Sequence, residues 1–224
     1  MTLNRGDRDF LKEIREKLYV AVVSDVLDSL GYMNQAMSSR IRPLDDALVL
    51  VGYARTCLYQ DIYHVADGVN PYELEIALID DLRKDEVPVF ACGASGRIAP
   101  WGELLSTASR ARGAAGSVMD GLTRDIRQIR KMQFPVFHGG IGPLDSKGRG
   151  RASQLDIPVV CAGVQVETGD LIFGDADGVV AIPKSIEQQV LARAFEKVTG
   201  EDKTRQDLAN GAKLKEVFER YGVL

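Results

Sequence analysis

Residues 87–140, "VPVFACGASGRIAPWGELLSTASRARGAAGSVMDGLTRDIRQIRKMQFPVFHGG", decide the fold. The stretch opens on a short apolar run, VPVFAC (87–92), that reads as a buried strand. GASG (93–96) is a loop, and a helix is expected over roughly 102–112, closed by Gly113. AAGSVM (114–119) is the next strand, Asp120-Gly121 the turn after it, and 124–132 another helix. FPVFHGG (134–140) restores a strand. Strand and helix alternating at this spacing predict a layered α/β body with parallel pairing.

Working outward, Val22, Val23, Val26, Leu27 and Leu30 fall at helical spacing, and Gly31 sits where a C′ glycine stops a helix. ALVLVGYARTCLY (47–59) reads as a strand with a bend at Gly52. Pro71 fits the first turn of a helix running to about Arg83. From residue 157 the pattern changes: IPVVCAGVQV, DLIFGD and GVVAIP are closely spaced strands joined by ETGD and DADG turns, an antiparallel signature. Residues 184–221 predict one long or two shorter charged helices, and GGIGPLDSKGRGR (139–151) is the one stretch inside the body expected to be flexible. Neither an internal repeat nor a low-complexity segment interrupts the chain.

The 224 residues suffice for one sizeable core, so a single domain is expected. A net charge of −4 argues against a nucleic-acid face. The polar start MTLNRGDRDFLKEIREK has no apolar leader region, and no apolar run approaches a membrane span. Cys57, Cys92 and Cys161 are scattered in apolar segments, as reduced core thiols of a cytoplasmic protein would be. Two histidines, His64 and His138, are too few for most zinc sites and argue against a Ser-His-Asp triad. A metal here would be held through oxygen, which points to Mg2+ or Mn2+.

Several motifs have bland explanations. DADG (175–178) lacks the later ligands of a calcium loop and is a hairpin turn. The glycines form neither G-x-G-x-x-G nor a Walker loop. GASG is either a backbone cradle for a small anion or a plain strand-to-helix turn. Arg149 and Arg151 either clamp a carboxylate or lie on a solvated loop, and His138 is expected at the end of its strand, on a rim.

Glu103 and Arg124-Asp125 are harder to set aside. Gly102-Glu103 opens one helix, where the free amides of Leu104 and Leu105 favour an anion. Arg124-Asp125 opens the helix after the next strand. Successive strand-to-helix junctions of a parallel sheet emerge on one edge, where α/β ligands bind. A carboxylate pair, a guanidinium and backbone donors suit a small dicarboxylate or 2-oxo acid on a hard metal ion. The plain alternative is an Asp125 that caps its own helix beside a surface Arg124, and spacing alone leaves both open.

Glu103, twenty intervening residues and then Arg124-Asp125 resembles the acidic-x20-Arg-Asp signature of the 4-hydroxy-4-methyl-2-oxoglutarate / 4-carboxy-4-hydroxy-2-oxoadipate aldolases. Their superfamily also holds the regulator of ribonuclease activity A. SDVLDSLG, FPVFHGG, IPVVCAGVQVETGDLIFGDADGVVAIP and GEDKTRQDLANG extend the resemblance over nearly the whole chain. It implies a layered α/β/α, swivelling-domain-like fold with mixed parallel and antiparallel strands and C-terminal helices. One RraA-like aldolase domain would span 1–224, with 184–224 packing on a neighbouring subunit of a trimer or hexamer.

The implied activity is that of a class II pyruvate aldolase using Mg2+ or Mn2+, with oxaloacetate decarboxylation on the side. Asp125 would be the metal ligand. Arg124 would bind the pyruvyl oxygen, and Gly102 with the Leu104 and Leu105 amides would hold the pyruvyl carboxylate. Glu103, where many members carry Asp, would orient a water on the metal. Glu201 would reach the metal through water from the neighbouring subunit, with Arg205 one helical turn on. The chemistry is coherent: retro-aldol cleavage leaves an enolate, for which a metal and a fixed arginine are electron sink and counter-charge. DIYHVADG (61–68) is a segment that could bear on substrate choice. Rival expectations are a non-enzymatic ribonuclease E inhibitor, a related isomerase or decarboxylase acting through an enolate, and an oligomeric scaffold with a vestigial site.

Overall fold

The computed structural model describes residues 9–222. In chain order the elements are α1 (Phe10–Lys17), α2 (Val20–Ser29), β1 (Arg42–Pro43), β2 (Leu50–Asp61), α3 (Glu73–Asp80), β3 (Glu86–Ala91), α4 (Glu103–Ala111), β4 (Ser117–Thr123) and α5 (Ile126–Met132). They continue with β5 (Val136–Ile141), β6 (Gly150–Leu155), β7 (Val159–Cys161), β8 (Val164–Val166), β9 (Leu171–Asp175), β10 (Gly178–Ile182), α6 (Glu187–Ala209) and α7 (Leu214–Tyr221).

One sheet runs β1-β5-β4-β3-β2-β9-β10, with β6 also pairing β2. The long strand β2 explains the mixture. Its Tyr53–Leu58 stretch pairs β3 in parallel. Its other edge takes β9 antiparallel over Leu50–Tyr53 and β6 antiparallel over Cys57–Asp61. β3, β4 and β5 complete the parallel part. The β9–β10 hairpin turns at DADG, as expected. The fold is thus mixed α/β with parallel and antiparallel strands and C-terminal helices.

Strand alternation sorts the core by face. Val51, Leu171, Phe173, Val180 and Ile182 pack beneath α1, α2 and α6. Cys57, Tyr59, Phe90, Met119 and Val136 point the same way beneath α3, α4 and α5. Their neighbours Ala54, Val87, Val89, Val118, Phe137 and Ile172 face the other side, where the β7–β8 hairpin covers them. Helices therefore cover one face of the sheet and a hairpin the other. Each fully buried Leu, Ile or Phe of these clusters stabilises the fold by roughly 1.5–3 kcal/mol.

Some boundaries depart from expectation. Asp120-Gly121 is not a turn but lies within β4, because the buried Asp120 carboxylate is satisfied by backbone amides of adjoining segments. Gly52 does not bend β2. A Cβ there would stand 2.5 Å from the Asp85 carbonyl oxygen, so glycine permits close approach inside a continuous strand. The 139–151 stretch is built in at its two ends, residues 139–141 belonging to β5 and residues 150–151 to β6, with the loop 142–149 between them. Among the described residues no helix is long and apolar enough to cross a membrane.

Candidate active site

Trp101 organises the site from below. It is fully buried, stacks on Phe134 and meets Phe90 edge-on. Its indole N–H donates to Ser106 Oγ (2.8 Å), and that hydroxyl donates to the Gly102 carbonyl (3.0 Å). Its own carbonyl accepts from the Arg124 amide (3.0 Å) and the Thr123 hydroxyl (3.2 Å). The start of α4 is thereby sewn to the end of β4, and the two strand-to-helix junctions meet.

Asp125 turns the chain from β4 into α5 with left-handed backbone angles (φ 58°, ψ 34°), which Asp tolerates better than most residues. Its carboxylate does not cap its own helix. It reaches across instead, and Oδ2 accepts the Glu103 amide at 3.1 Å, satisfying one of the orphan donors of α4. Glycine at 102 makes this possible, because a Cβ there would stand 2.5 Å from that Oδ2. No acceptor among the described residues meets the Leu104 or Leu105 amides, which remain available at the α4 N-terminus. The Glu103 carboxylate is turned back along the helix, where Oε1 accepts from the Thr107 hydroxyl (2.8 Å).

Arg124 stands between two carboxylates. Its Nε is 3.8 Å from Asp125 Oδ2, and an Nη is 3.6 Å from Asp145 Oδ1. The same Nη donates to the Leu144 carbonyl at 3.2 Å. Arg124, Asp125, Ile126, Ile141, Gly142 and Pro143 line a cleft of about 450 Å3. The Tyr72 hydroxyl donates to Asp145 Oδ2 (2.9 Å). Burial alone would raise the Asp145 carboxyl; the Tyr72 hydroxyl, the Lys147 and Ser146 amides and Arg124 together hold it below the ordinary range. Burial and the Asp145 carboxylate push the Tyr72 phenol up to about 12.

Behind this loop lies Glu75, 6% exposed, whose Oε2 accepts from the Tyr59 hydroxyl (2.9 Å). Burial pushes its carboxyl up to about 7; the Tyr59 hydrogen bond and Arg124 oppose that rise, while Asp145 adds to it.

Among the described residues no three His, Cys, Asp or Glu side chains gather closely enough to cage a metal. The donor set at the α4–β4 junction fits a hard cation that keeps most of its waters and takes one protein carboxylate, Asp125. Glu201 is not brought to this junction within one protomer. It lies on α6, which packs with α1, α2 and β10, and its carboxylate sits 3.9 Å from Lys197 Nζ. Burial raises the Glu201 carboxyl. Arg205 pairs with Asp202.

Other expected positions resolve plainly. The GASG loop does help cradle an anion, but one of the protein's own: the Cys92, Ala94 and Ala162 amides hold the Asp120 carboxylate. His138 lies within β5, not at its end, and is buried; burial lowers its pKa, and its Nδ1 has no hydrogen-bond partner among the described residues. Arg149 does not reach into the cleft as a clamp but donates to the Asp145 carbonyl (3.1 Å), whereas Arg151 is exposed on β6. His64 is exposed. All three cysteines are free and buried, and burial pushes their thiols up. A larger cleft of about 650 Å3 collects Glu167, Asp170 and Lys184. The Asp170 carboxylate there is already committed to the Glu167 and Lys184 amides.

Sequence reasoning missed Asp145, Tyr72, Glu75 and Asp120. Glu75 did leave a signal, because it heads the buried stripe Glu75, Leu78, Ile79, Leu82 at i, i+3, i+4, i+7. An acid on an apolar stripe marks a buried carboxylate.

The family model described as RraA-like, Aldolase/RraA, matches residues 20–181. A Halalkalibacterium halodurans protein named "Putative 4-hydroxy-4-methyl-2-oxoglutarate aldolase" is 34% identical over 204 residues, 91% of this chain and 90% of that protein. The solved structure of an uncharacterized protein from Pseudomonas syringae pv. tomato superposes with a TM-score of 0.80 at 26% identity, covering 92% of this chain and 95% of that one. Streptomyces coelicolor RraAS2, described as an unusual member of the RNase ES inhibitor RraA protein family, gives 0.78 at 25% identity over 90% and 98% of the two chains. The chain belongs to the RraA-like family.

Proposed function

We propose that this protein is a lyase, a divalent-metal-dependent aldolase that cleaves a 4-hydroxy-2-oxo mono- or dicarboxylic acid to pyruvate and a second carbonyl compound. Oxaloacetate decarboxylation follows as a side activity, because it passes through the same pyruvate enolate. The observation that carries the reading is the Asp125 carboxylate. It is aimed off its own helix to the head of α4, beside two free amides and the Arg124 guanidinium.

Asp125 would hold Mg2+ or Mn2+. When bound, such an ion supplies Lewis-acid polarisation of the 2-oxo group. The Leu104 and Leu105 amides bind the pyruvyl carboxylate at the positive end of α4. Gly102 joins them at that helix start, and its lack of a Cβ lets the Asp125 carboxylate approach. Arg124 faces the pyruvyl oxygen as negative charge develops on it. Glu103 leaves Thr107 by a rotamer change and orients the water that accepts the C4 hydroxyl proton. The C3–C4 bond then breaks, its electron pair enters the enolate, and a proton returned to C3 gives pyruvate.

Glu201 of a neighbouring copy would complete the site in a homotrimer or homohexamer. The half-exposed Leu214 and Phe218 of α7 support an outer surface covered by another subunit.

The test is pyruvate release, read through a coupled dehydrogenase, from oxaloacetate and a panel of 4-hydroxy-2-oxo acids with Mg2+ or Mn2+. EDTA, Arg124→Ala and Asp125→Ala should each reduce kcat by roughly 10²-fold or more. Activity surviving both substitutions refutes the assignment. A preparation inactive on every 2-oxo acid that still inhibits a ribonuclease E would replace it with the regulator reading.

A further inference from the structure

Arg124 and Asp125 are adjacent, opposite in charge and both partly exposed. Left alone, the guanidinium would close onto its neighbour and occupy the carboxylate. It does so only loosely, with Nε 3.8 Å from Asp125 Oδ2, because one Nη is drawn the other way, to the Leu144 carbonyl (3.2 Å) and Asp145 Oδ1 (3.6 Å). Asp145 is a fixed anchor. Tyr72, at the head of α3, donates to its Oδ2, the Lys147 amide donates to its Oδ1, and Arg149 grips its carbonyl. The loop that carries it is tied at both ends, by the Gly142 amide to the Thr123 carbonyl (3.0 Å) and by the Arg149 and Gly150 amides to the buried Ser146 (2.8 Å each).

We propose that Asp145, held by Tyr72, is a positioning residue that draws the Arg124 guanidinium off the Asp125 carboxylate and so keeps Asp125 free to bind a cation. This rests on reading Asp125 as the cation ligand. Two carboxylates share one arginine, Asp145 at 3.6 Å and Asp125 at 3.8 Å, and the anchored one limits how closely it can approach the other. Removing the Asp145 charge leaves Asp125 as the only carboxylate partner of Arg124 among the described residues, so the arginine becomes an internal competitor for the metal site.

The experiment is a titration of the full-length, metal-free protein with Mn2+, with free Mn2+ followed by electron paramagnetic resonance. Asp145→Asn is expected to weaken Mn2+ binding about five-fold, the scale of a partly exposed ion pair. Tyr72→Phe, which keeps the ring and loosens the anchor, should weaken it in the same direction by less. In an Arg124→Ala background, where no guanidinium can close on Asp125, Asp145→Asn should have no further effect. That loss of effect separates positioning from a general change in charge or folding, which would persist without the arginine. An Asp145→Asn effect of equal size with and without Arg124 overturns the proposal, as does unchanged affinity in Asp145→Asn. Mn2+ binding that survives Asp125→Asn sinks the metal reading itself, and this inference with it.

Discussion

Glu75 yields a prediction whose size follows from the structure. Its carboxyl is pushed from an ordinary 4.5 up to about 7, chiefly by burial. Below pH 4.5 the group is protonated in both folded and unfolded chains and costs nothing. Between 4.5 and about 7 the unfolded chain has released a proton that the native state keeps, so stability falls as pH rises. Above that window the cost is constant at about 3 kcal/mol. Glu75→Gln retains an acceptor for the Tyr59 hydroxyl and removes the charge. It should therefore stabilise the protein by about 2 kcal/mol more at pH 8 than at pH 5, or roughly 4–8 °C in Tm for a chain of this size. The assay is equilibrium urea unfolding of wild type and Glu75→Gln at both pH values, at one fixed protein concentration because assembly contributes to stability. The same ΔΔG at both values, or a variant that loses stability as pH rises, would refute the argument that Glu75 ionises against a burial penalty.

Gly102→Ala should lower kcat and weaken Mn2+ binding, because its Cβ would stand 2.5 Å from the Asp125 carboxylate and next meet the Arg124 side chain; an unaffected Mn2+ titration would count against it. Asp120→Ala strands the amides of Cys92, Ala94 and Ala162, and urea unfolding should register a loss of about 3 kcal/mol. Asp125→Ala and Glu201→Gln should each be inactive alone. Co-refolded in equal amounts, they should recover roughly a quarter of wild-type pyruvate release, as a head-to-tail interface with one intact site in four requires; no recovery in the mixed oligomer would place Glu201 outside the site. Tyr72→Phe removes one of the hydrogen bonds that hold the Asp145 carboxyl below its ordinary range, so the acid limb of the pH–rate profile should move to higher pH; a profile superimposable on wild type would show that the Tyr72–Asp145 contact does not bear on turnover.

Much of the fold was legible because periodicity is a local property. The helix ending before Gly31, the alternation across residues 87–140 and the antiparallel hairpin at DADG all follow from side-chain spacing and turn chemistry. So did the convergence of Glu103 with Arg124-Asp125, because parallel topology sends successive junctions to one edge. Local patterns also misled where a distant partner decided. Asp120-Gly121 has turn composition, yet three amides from remote segments hold its carboxylate inside a strand. Gly52 is a glycine for the sake of Asp85 and Ala115, not for a bend.

The amino-acid sequence by itself determined the order of elements and the pair of junctions that carry the candidate site. Only the tertiary structure decided where the charges point. Asp125 caps the helix of Glu103 instead of its own, Glu103 leans on Thr107, and Arg124 is shared with an Asp145 that Tyr72 holds from another helix. The physical reason is range. Secondary structure is set by neighbours a few residues apart, whereas the direction of a charged side chain is set by whichever partners packing brings within a few ångströms, however far away they lie along the chain.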